Sequence, residues 1–151
     1  MEESGYLHRV QYYETDQMGI VHHSNYIRWF EEARTDFLQK AGAGYDRMER
    51  EGIVSPVVSV TSRYHAPAHF GQTVSLSVRV VEYNGVRLTV EYSVRDSETG
   101  TLLCTGRSEH CFLKNGRPVS LKRAGPEYDG ILRRCLSAEE EKEASPVDEQ
   151  D

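Results

Sequence analysis

The chain has few of the residues that mark the specialised classes of protein. Its 151 residues include only three cysteines, Cys104, Cys111 and Cys135, and no C-x-x-C pair. This argues against a disulfide framework and against a cysteine zinc site. No stretch approaches the ~20 consecutive apolar residues that cross a bilayer, and the acidic first residues lack the apolar core of a secretory signal. We therefore expect a cytoplasmic protein with no membrane insertion.

The chain also lacks a surplus of basic residues. It has 24 acidic and 18 basic residues, for a formal net charge of −6. Seven of the acidic residues and one lysine lie within residues 137–151, which leaves 17 residues of each sign before them. No basic patch of the kind that binds nucleic acid is indicated, so no nucleic-acid partner is expected. Residues 1–136 are predicted to form one domain, and the acidic segment 137–151 is predicted to be a disordered tail.

The hydrophobic pattern predicts one long helix followed by an antiparallel run of strands. Residues 7–13 fit a first strand, and apolar residues at steps of three and four predict a helix over 25–42. Ser24 or Asn25 can cap this helix. Asn25 can instead orient the loop before the helix, and of these two roles we favour the cap. Four further strands are predicted over 53–64, 73–83, 88–95 and 102–113, and a short helix near 131–136. Since the long helix must bury its apolar side, we predict an α+β fold in which the sheet curls around it.

Residues 12–26, with the sequence YYETDQMGIVHHSNY, carry the chemistry. The first N–H groups of a helix have no intrahelical acceptor and can polarise a thioester carbonyl. A carboxylate on the preceding loop, Asp16, can attack that carbonyl or activate a water molecule. An aspartate in such a loop is more often a solvated or capping residue, so the spacing alone does not establish catalysis.

The segment resembles the signature of the 4-hydroxybenzoyl-CoA thioesterase family, which includes the thioesterases linked to the Tol–Pal genes. The matching positions are Tyr13, Thr15, Asp16, Gly19, Ile20, Val21, His23, Asn25 and Tyr26, followed by an aromatic-rich helix that ends in Ala33-Arg34. A second match lies at Tyr64, Ala66, Pro67 and Gly71. The resemblance covers about residues 6–119. His23 favours the Tol–Pal branch, since the hydroxybenzoyl branch has a tyrosine at this position.

The resemblance implies a hot-dog fold, a five-stranded antiparallel sheet wrapped around one long helix. It implies a homo-oligomer, either a dimer or a tetramer of hot-dog dimers, that hydrolyses an acyl-CoA to a free acid and CoA at the dimer interface. Asp16 would be the nucleophile or general base, and the backbone N–H of His23 would polarise the carbonyl. The side chain of His23 is either an active-site group or a structural one. The implied substrate-binding positions are Tyr13, Gly19, Ile20, Val21 and Asn25.

The phosphates of CoA need basic partners, for which Arg87 is the best candidate and Arg63 and Arg117 are weaker ones. No metal or other cofactor is expected, because Pro67 prevents a helix from aligning His65 with His69. Two alternative functions are a hot-dog dehydratase acting on acyl carrier protein and a non-catalytic acyl-CoA-binding module. A dehydratase usually carries its acidic residue within the helix, whereas Asp16 precedes it, which favours hydrolysis.

Overall fold

The structure, a computed structural model, describes residues 5–144. Its strands are β1 (Tyr6–Arg9), β2 (Ile53–Val54), β3 (Val57–Tyr64), β4 (Thr73–Tyr83), β5 (Leu88–Asp96), β6 (Leu102–His110), β7 (Leu113–Lys114) and β8 (Arg117–Pro118). Five of these strands form one antiparallel sheet, in the order β1-β4-β5-β6-β3, and the three short strands form a second sheet, in the order β2-β7-β8. The α-helices are α1 (Ser24–Ala41), α2 (Tyr45–Arg50), α3 (Leu121–Ala124) and α4 (Pro126–Ala144). None of the helices in this described part is long and apolar enough to cross a membrane. The predicted five-stranded antiparallel sheet with a long helix is confirmed.

Helix α1 buries its apolar side against the sheet. Trp29, Phe30 and Ala33 are almost completely buried, and the Phe30 ring stacks on the Tyr92 ring of β5 with centroids 4.5 Å apart. Gly106 of β6 makes room for this stack, because a Cβ atom there would lie 2.3 Å from the Phe30 ring. The helix therefore sits close to the sheet at a point where no larger residue fits.

Replacing Gly106 by alanine is expected to destabilise the fold, because the Phe30 ring is held by its stack on Tyr92 and has little room to move. Overpacking of this kind costs about 2–3 kcal/mol. Urea denaturation of the variant measures the cost. The control is Gly130→Ala in α4, where a Cβ would meet only Arg134 at an ordinary 3.6 Å. That variant should be neutral or more stable by up to about 1 kcal/mol, since alanine favours helix. Equal stability of the two variants would contradict the close-packing argument.

A buried polar chain runs from α1 through β5 to β6. The Arg34 guanidinium donates to the Tyr92 hydroxyl at 2.9 Å, and the Tyr92 and Ser108 hydroxyls lie 2.6 Å apart. The Ser108 Oγ lies 2.8 Å from Nε2 of His110, whose Nδ1 has no hydrogen-bond partner among residues 5–144. Burial, together with the positive charge of Arg34, lowers the pKa of His110 to about 4. The imidazole is therefore neutral in the folded protein at neutral pH.

The stability of the fold is expected to fall as the pH drops from about 6.5, the usual pKa of an unfolded histidine, towards 4. Between pH 6.5 and pH 4, His110 binds a proton in the unfolded chain but not in the folded chain, so protonation favours the unfolded state. The loss amounts to roughly 2–3 kcal/mol if His110 acts alone. Urea titrations at pH 7 and pH 4.5 measure it, and His110→Gln should flatten the dependence. A His110→Gln profile as steep as that of the wild type would exclude this histidine as its source.

The terminal helix is longer than the sequence predicted. A short helix near 131–136 was expected, whereas α4 has 19 residues and is a long helix in addition to α1. It packs on β4, with Ile131 and Leu132 buried, and Glu139 is also buried and lies 3.5 Å from Lys142. The acidic composition suggested disorder, but glutamate, lysine, alanine and leucine are also strong helix formers. The prediction of disorder is therefore wrong for residues 137–144, and residues 145–151 lie outside the described part.

The first strand is shorter than predicted. It ends at Arg9 instead of residue 13, and a 3-10 turn follows at Tyr12–Glu14. The Glu14 carboxylate accepts the Gln11 backbone N–H at 2.8 Å, and this bond closes the turn. The turn redirects the chain from the sheet towards the start of α1.

Candidate active site

The loop before α1 holds Asp16 in a tight turn. The backbone N–H of Asp16 donates to the Ile20 carbonyl at 2.8 Å, and the N–H of Gly19 donates to the Asp16 carbonyl at 3.0 Å. Gly19 has φ +82°, a conformation that glycine adopts without strain. The Asp16 Oδ1 accepts the Met18 N–H at 2.8 Å. No donor among residues 5–144 reaches Oδ2, which is free to act on a ligand.

Asp16 lies in a cleft of about 380 Å³. The loop, the start of α1 and the chain from the end of β3 onwards form its wall. The residues that line it are Asp16, Ile20, Val21, His22, His23, Tyr26, Tyr64, His65, Ala66 and Pro67. The Val21 N–H donates to the Ala68 carbonyl at 2.9 Å, and Ile20 bridges to His69. These bonds fix the loop against the segment after β3, so the cleft is bounded on both sides by backbone.

The start of α1 borders this cleft through His22 and His23. The Ser24 N–H is taken by Nδ1 of His22 at 3.2 Å, and the His22 N–H donates to the Glu14 carbonyl at 2.8 Å. Among residues 5–144, no acceptor engages the N–H of His23. The partial positive charge of the helix N-terminus adds to this donor. One cleft is therefore lined by Asp16, whose Oδ2 has no donor among residues 5–144, and by His23, whose N–H has no acceptor among them.

Asn25 has a different role from the predicted one. The N-cap residue of α1 is His23, whose side chain makes no capping hydrogen bond within the described residues. Instead, the buried Asn25 donates from Nδ2 to the Glu14 carbonyl at 3.0 Å and to the His22 carbonyl at 3.3 Å. The prediction of a capping role is wrong because its amide reaches back to the loop, where two carbonyl groups need donors.

The structure brings together only part of the predicted site. Asp16, His23, Ile20 and Val21 line the cleft. Gly19 shapes the turn, and Asn25 secures the loop without lining the cleft. Tyr13 is 78% exposed on the 3-10 turn and does not line the cleft either.

Arg87 lies far from Asp16 within one chain. It precedes Leu88 of β5, which pairs with His110 of β6. His110 also pairs with Val57, so Arg87 lies at the end of the sheet where β3 begins. The cleft is at the other end of the sheet, where Tyr64 pairs with Cys104 and Cys104 with Val94. The six steps from Leu88 to Val94 span ~20 Å at about 3.3 Å for each step. Contact of Arg87 with CoA phosphates therefore stays a prediction, and within one chain the geometry does not place it beside Asp16.

Two tyrosines were not assigned to the site from the sequence. The Tyr64 hydroxyl donates to the His23 carbonyl at 3.3 Å, and its ring meets the Tyr26 ring edge-on at 5.2 Å. Burial raises the pKa of Tyr26 to about 12, so its hydroxyl stays neutral. The signal that could have found them was the second motif match, which includes Tyr64 and sits beside the first motif in space.

Metal-ligand side chains are not clustered here. Within the described residues, no group of three or more histidine, cysteine, aspartate or glutamate side chains is placed to hold a metal ion. His22 and His23 stack with ring centroids 4.2 Å apart, and His22 bonds the Ser24 hydroxyl at 2.9 Å.

Comparisons with known proteins show which family the chain belongs to. The profile of the thioesterase-like superfamily matches residues 10–139. YneP of Bacillus subtilis, described as a candidate acyl-CoA thioesterase, is 36% identical over 121 residues, which are 79% of this chain and 87% of that protein. The acyl-CoA thioester hydrolase YbgC of Escherichia coli is 28% identical over 95 residues, covering 63% of this chain and 70% of that protein. The solved DHNA-CoA thioesterase of Staphylococcus aureus has a TM-score of 0.85 at 30% identity, covering 94% of this chain and 95% of that chain. The chain therefore has the hot-dog fold and belongs to the thioesterase-like superfamily.

Proposed function

We propose that the chain is a cytoplasmic acyl-CoA thioesterase in which Asp16 is the catalytic carboxylate. The observation that carries this proposal is the shared cleft, which Asp16 and His23 both line. Within the described residues, Oδ2 of Asp16 has no donor and the N–H of His23 has no acceptor, which leaves both groups open to a ligand. The names of YneP, YbgC and the Staphylococcus aureus enzyme support a CoA thioester as the substrate.

The reaction adds water across the thioester. As general base, Asp16 takes a proton from water while the hydroxide oxygen bonds to the carbonyl carbon. As nucleophile, it bonds to that carbon itself, and water later cleaves the resulting anhydride. In both routes the carbonyl oxygen becomes an oxyanion that the His23 N–H stabilises, and the C–S bond then breaks to release CoA thiolate. Water supplies the oxygen and both protons of the products, a carboxylic acid and CoA.

We also propose that the active enzyme is a homo-oligomer. Strand β3 is an edge of the five-stranded sheet, and Val57 and Val58 on it are 48% and 49% exposed. Exposed apolar edges promote pairing with another chain. Antiparallel pairing of two β3 strands about a twofold axis would set Val57 of one copy opposite Tyr64 of the other. Since Tyr64 lines the Asp16 cleft, the second copy would complete the site.

Steady-state hydrolysis of an acyl-CoA panel tests the proposed activity. The panel contains short and long straight-chain acyl-CoAs, benzoyl-CoA and an aromatic hydroxy-acyl-CoA, with free thiol release as the readout. Matching acyl carrier protein thioesters form a second arm. We expect turnover of at least one CoA thioester. The absence of hydrolysis across the panel, with binding retained, would favour the acyl-CoA-binding module instead.

A further inference from the structure

Glu14 is a buried carboxylate that the proposed reaction does not use. It lies two residues before Asp16, is only 4% exposed and does not line the cleft. A buried carboxylate is costly unless its oxygens are hydrogen-bonded. Its partners therefore indicate what it is for.

Three N–H groups from separate parts of the chain meet on this carboxylate. Oε1 accepts from the Gln11 backbone at 2.8 Å and lies 3.0 Å from Nε2 of His8, and Oε2 accepts from Nε1 of Trp29 at 2.9 Å. His8 belongs to β1 and Trp29 to the middle of α1. Burial alone would raise the pKa of Glu14, but the donors of Gln11, His8 and Trp29 outweigh it and lower that pKa. The side chain is thus ionised and joins the sheet, the loop and the helix.

The backbone carbonyl of Glu14 bonds to the end of the loop and to α1. The Glu14 carbonyl accepts the His22 N–H at 2.8 Å and the Asn25 Nδ2 at 3.0 Å. Glu14 therefore binds both ends of the loop that contains Asp16, one through its side chain and one through its backbone. A shift of this residue would move Asp16 relative to the start of α1.

The geometry points to Glu14 as a positioning residue for catalysis, one that sets the distance between the Asp16 carboxylate and the N–H of His23. The inference rests on the proposed thioesterase function. Glu14 acts through the loop and not on the substrate, because its carboxylate is buried and both oxygens are occupied. A misplacement of about 1 Å at a reacting group can cost roughly 100-fold in rate, which is the scale on which such a residue matters.

Glutamine at position 14 tests the role with almost no change in size. Its amide nitrogen has to face either Trp29 or the pair formed by Gln11 and His8, all of which point N–H groups at it. For Glu14→Gln we expect kcat to fall by about 10- to 100-fold while KM stays within about threefold. The control is Glu32→Gln, since Glu32 lies 3.1 Å from Nδ1 of His8 but has no bond to the loop. That variant should keep kcat within about twofold of the wild type.

Combination with Asp16→Asn separates positioning from a general loss of stability. If Glu14 acts through Asp16, the double variant Glu14→Gln/Asp16→Asn should be no slower than Asp16→Asn alone, within about twofold. A folded Glu14→Gln enzyme with wild-type kcat, or a double variant in which the two losses multiply, overturns the inference.

Should Glu14→Gln fail to fold, the kcat of Trp29→Phe provides the test. Removal of the single indole donor should lower kcat about three- to tenfold, and an unchanged kcat overturns the inference. Full activity of Asp16→Asn would instead contradict the proposed function itself.

Discussion

Asp16→Asn is expected to lower kcat by about 100- to 10,000-fold for whichever acyl-CoA the enzyme turns over best, with KM little changed. Asparagine can still accept the Met18 N–H that Asp16 accepts at 2.8 Å, so the turn is preserved while the base is lost. Alanine would remove both the base and this bond. Asparagine is therefore the sharper probe of chemistry, and steady-state thiol release under saturating substrate measures the effect.

The matched control is Asp46→Asn, which removes an exposed aspartate from α2. Asp46 pairs with Arg50 at 3.6 Å on the surface and lies outside the cleft. Surface pairs of this kind contribute only ~0–1 kcal/mol to stability, so kcat should not change. Similar activities of the wild type, Asp16→Asn and Asp46→Asn would contradict the assignment of Asp16.

Lysine at both Val57 and Val58 is expected to convert the protein to monomers and to lower kcat/KM at least about tenfold, because the partner no longer completes the cleft. The wild type should have a mass of two or four times the 17.2 kDa chain. Two lysines on each β3 would place four positive charges on a twofold edge, where like charges repel. Sedimentation equilibrium and the thiol-release assay report the two effects on one sample.

Val86→Lys provides the control for this pair. Val86 is 46% exposed, much as Val57 and Val58 are, but it lies in the turn between β4 and β5. It should leave both mass and activity unchanged. A wild type that is monomeric and fully active, or a Val57→Lys/Val58→Lys variant that stays oligomeric, would remove β3 as the interface.

The local sequence was sufficient for the part of the site that is continuous along the chain. Asp16, Ile20, Val21 and His23 lie within eight residues, and the turn at Gly19 and the start of α1 bring them into one cleft. The alternation of apolar and polar residues likewise predicted the strands of the sheet, because this signal is short-range. Such features need no knowledge of distant residues.

Contacts between distant residues could not be predicted in this way. Glu14 meets His8 from β1 and Trp29 from α1, and each of these residues alone would fit an ordinary strand or core position. Asn25 has the side chain of a capping residue, yet it serves the loop carbonyls. The disorder predicted for residues 137–144 was wrong because acidic residues suit both a disordered segment and a helix. The packing of α4 on β4 is a tertiary contact that the local sequence does not reveal.

The most direct test of the Asp16–His23 site is a crystal structure with an acyl-CoA analogue in which a methylene group replaces the thioester sulfur. Such a ligand keeps the carbonyl but has no leaving group, so it should stay intact. We expect its carbonyl oxygen within hydrogen-bond distance of the His23 N–H, about 2.7–3.2 Å. We expect Oδ2 of Asp16 beside the carbonyl carbon or bound to a water next to it. A carbonyl located elsewhere, for example in the groove between α1 and α4 that Phe37 and Ile131 line, would contradict this expectation.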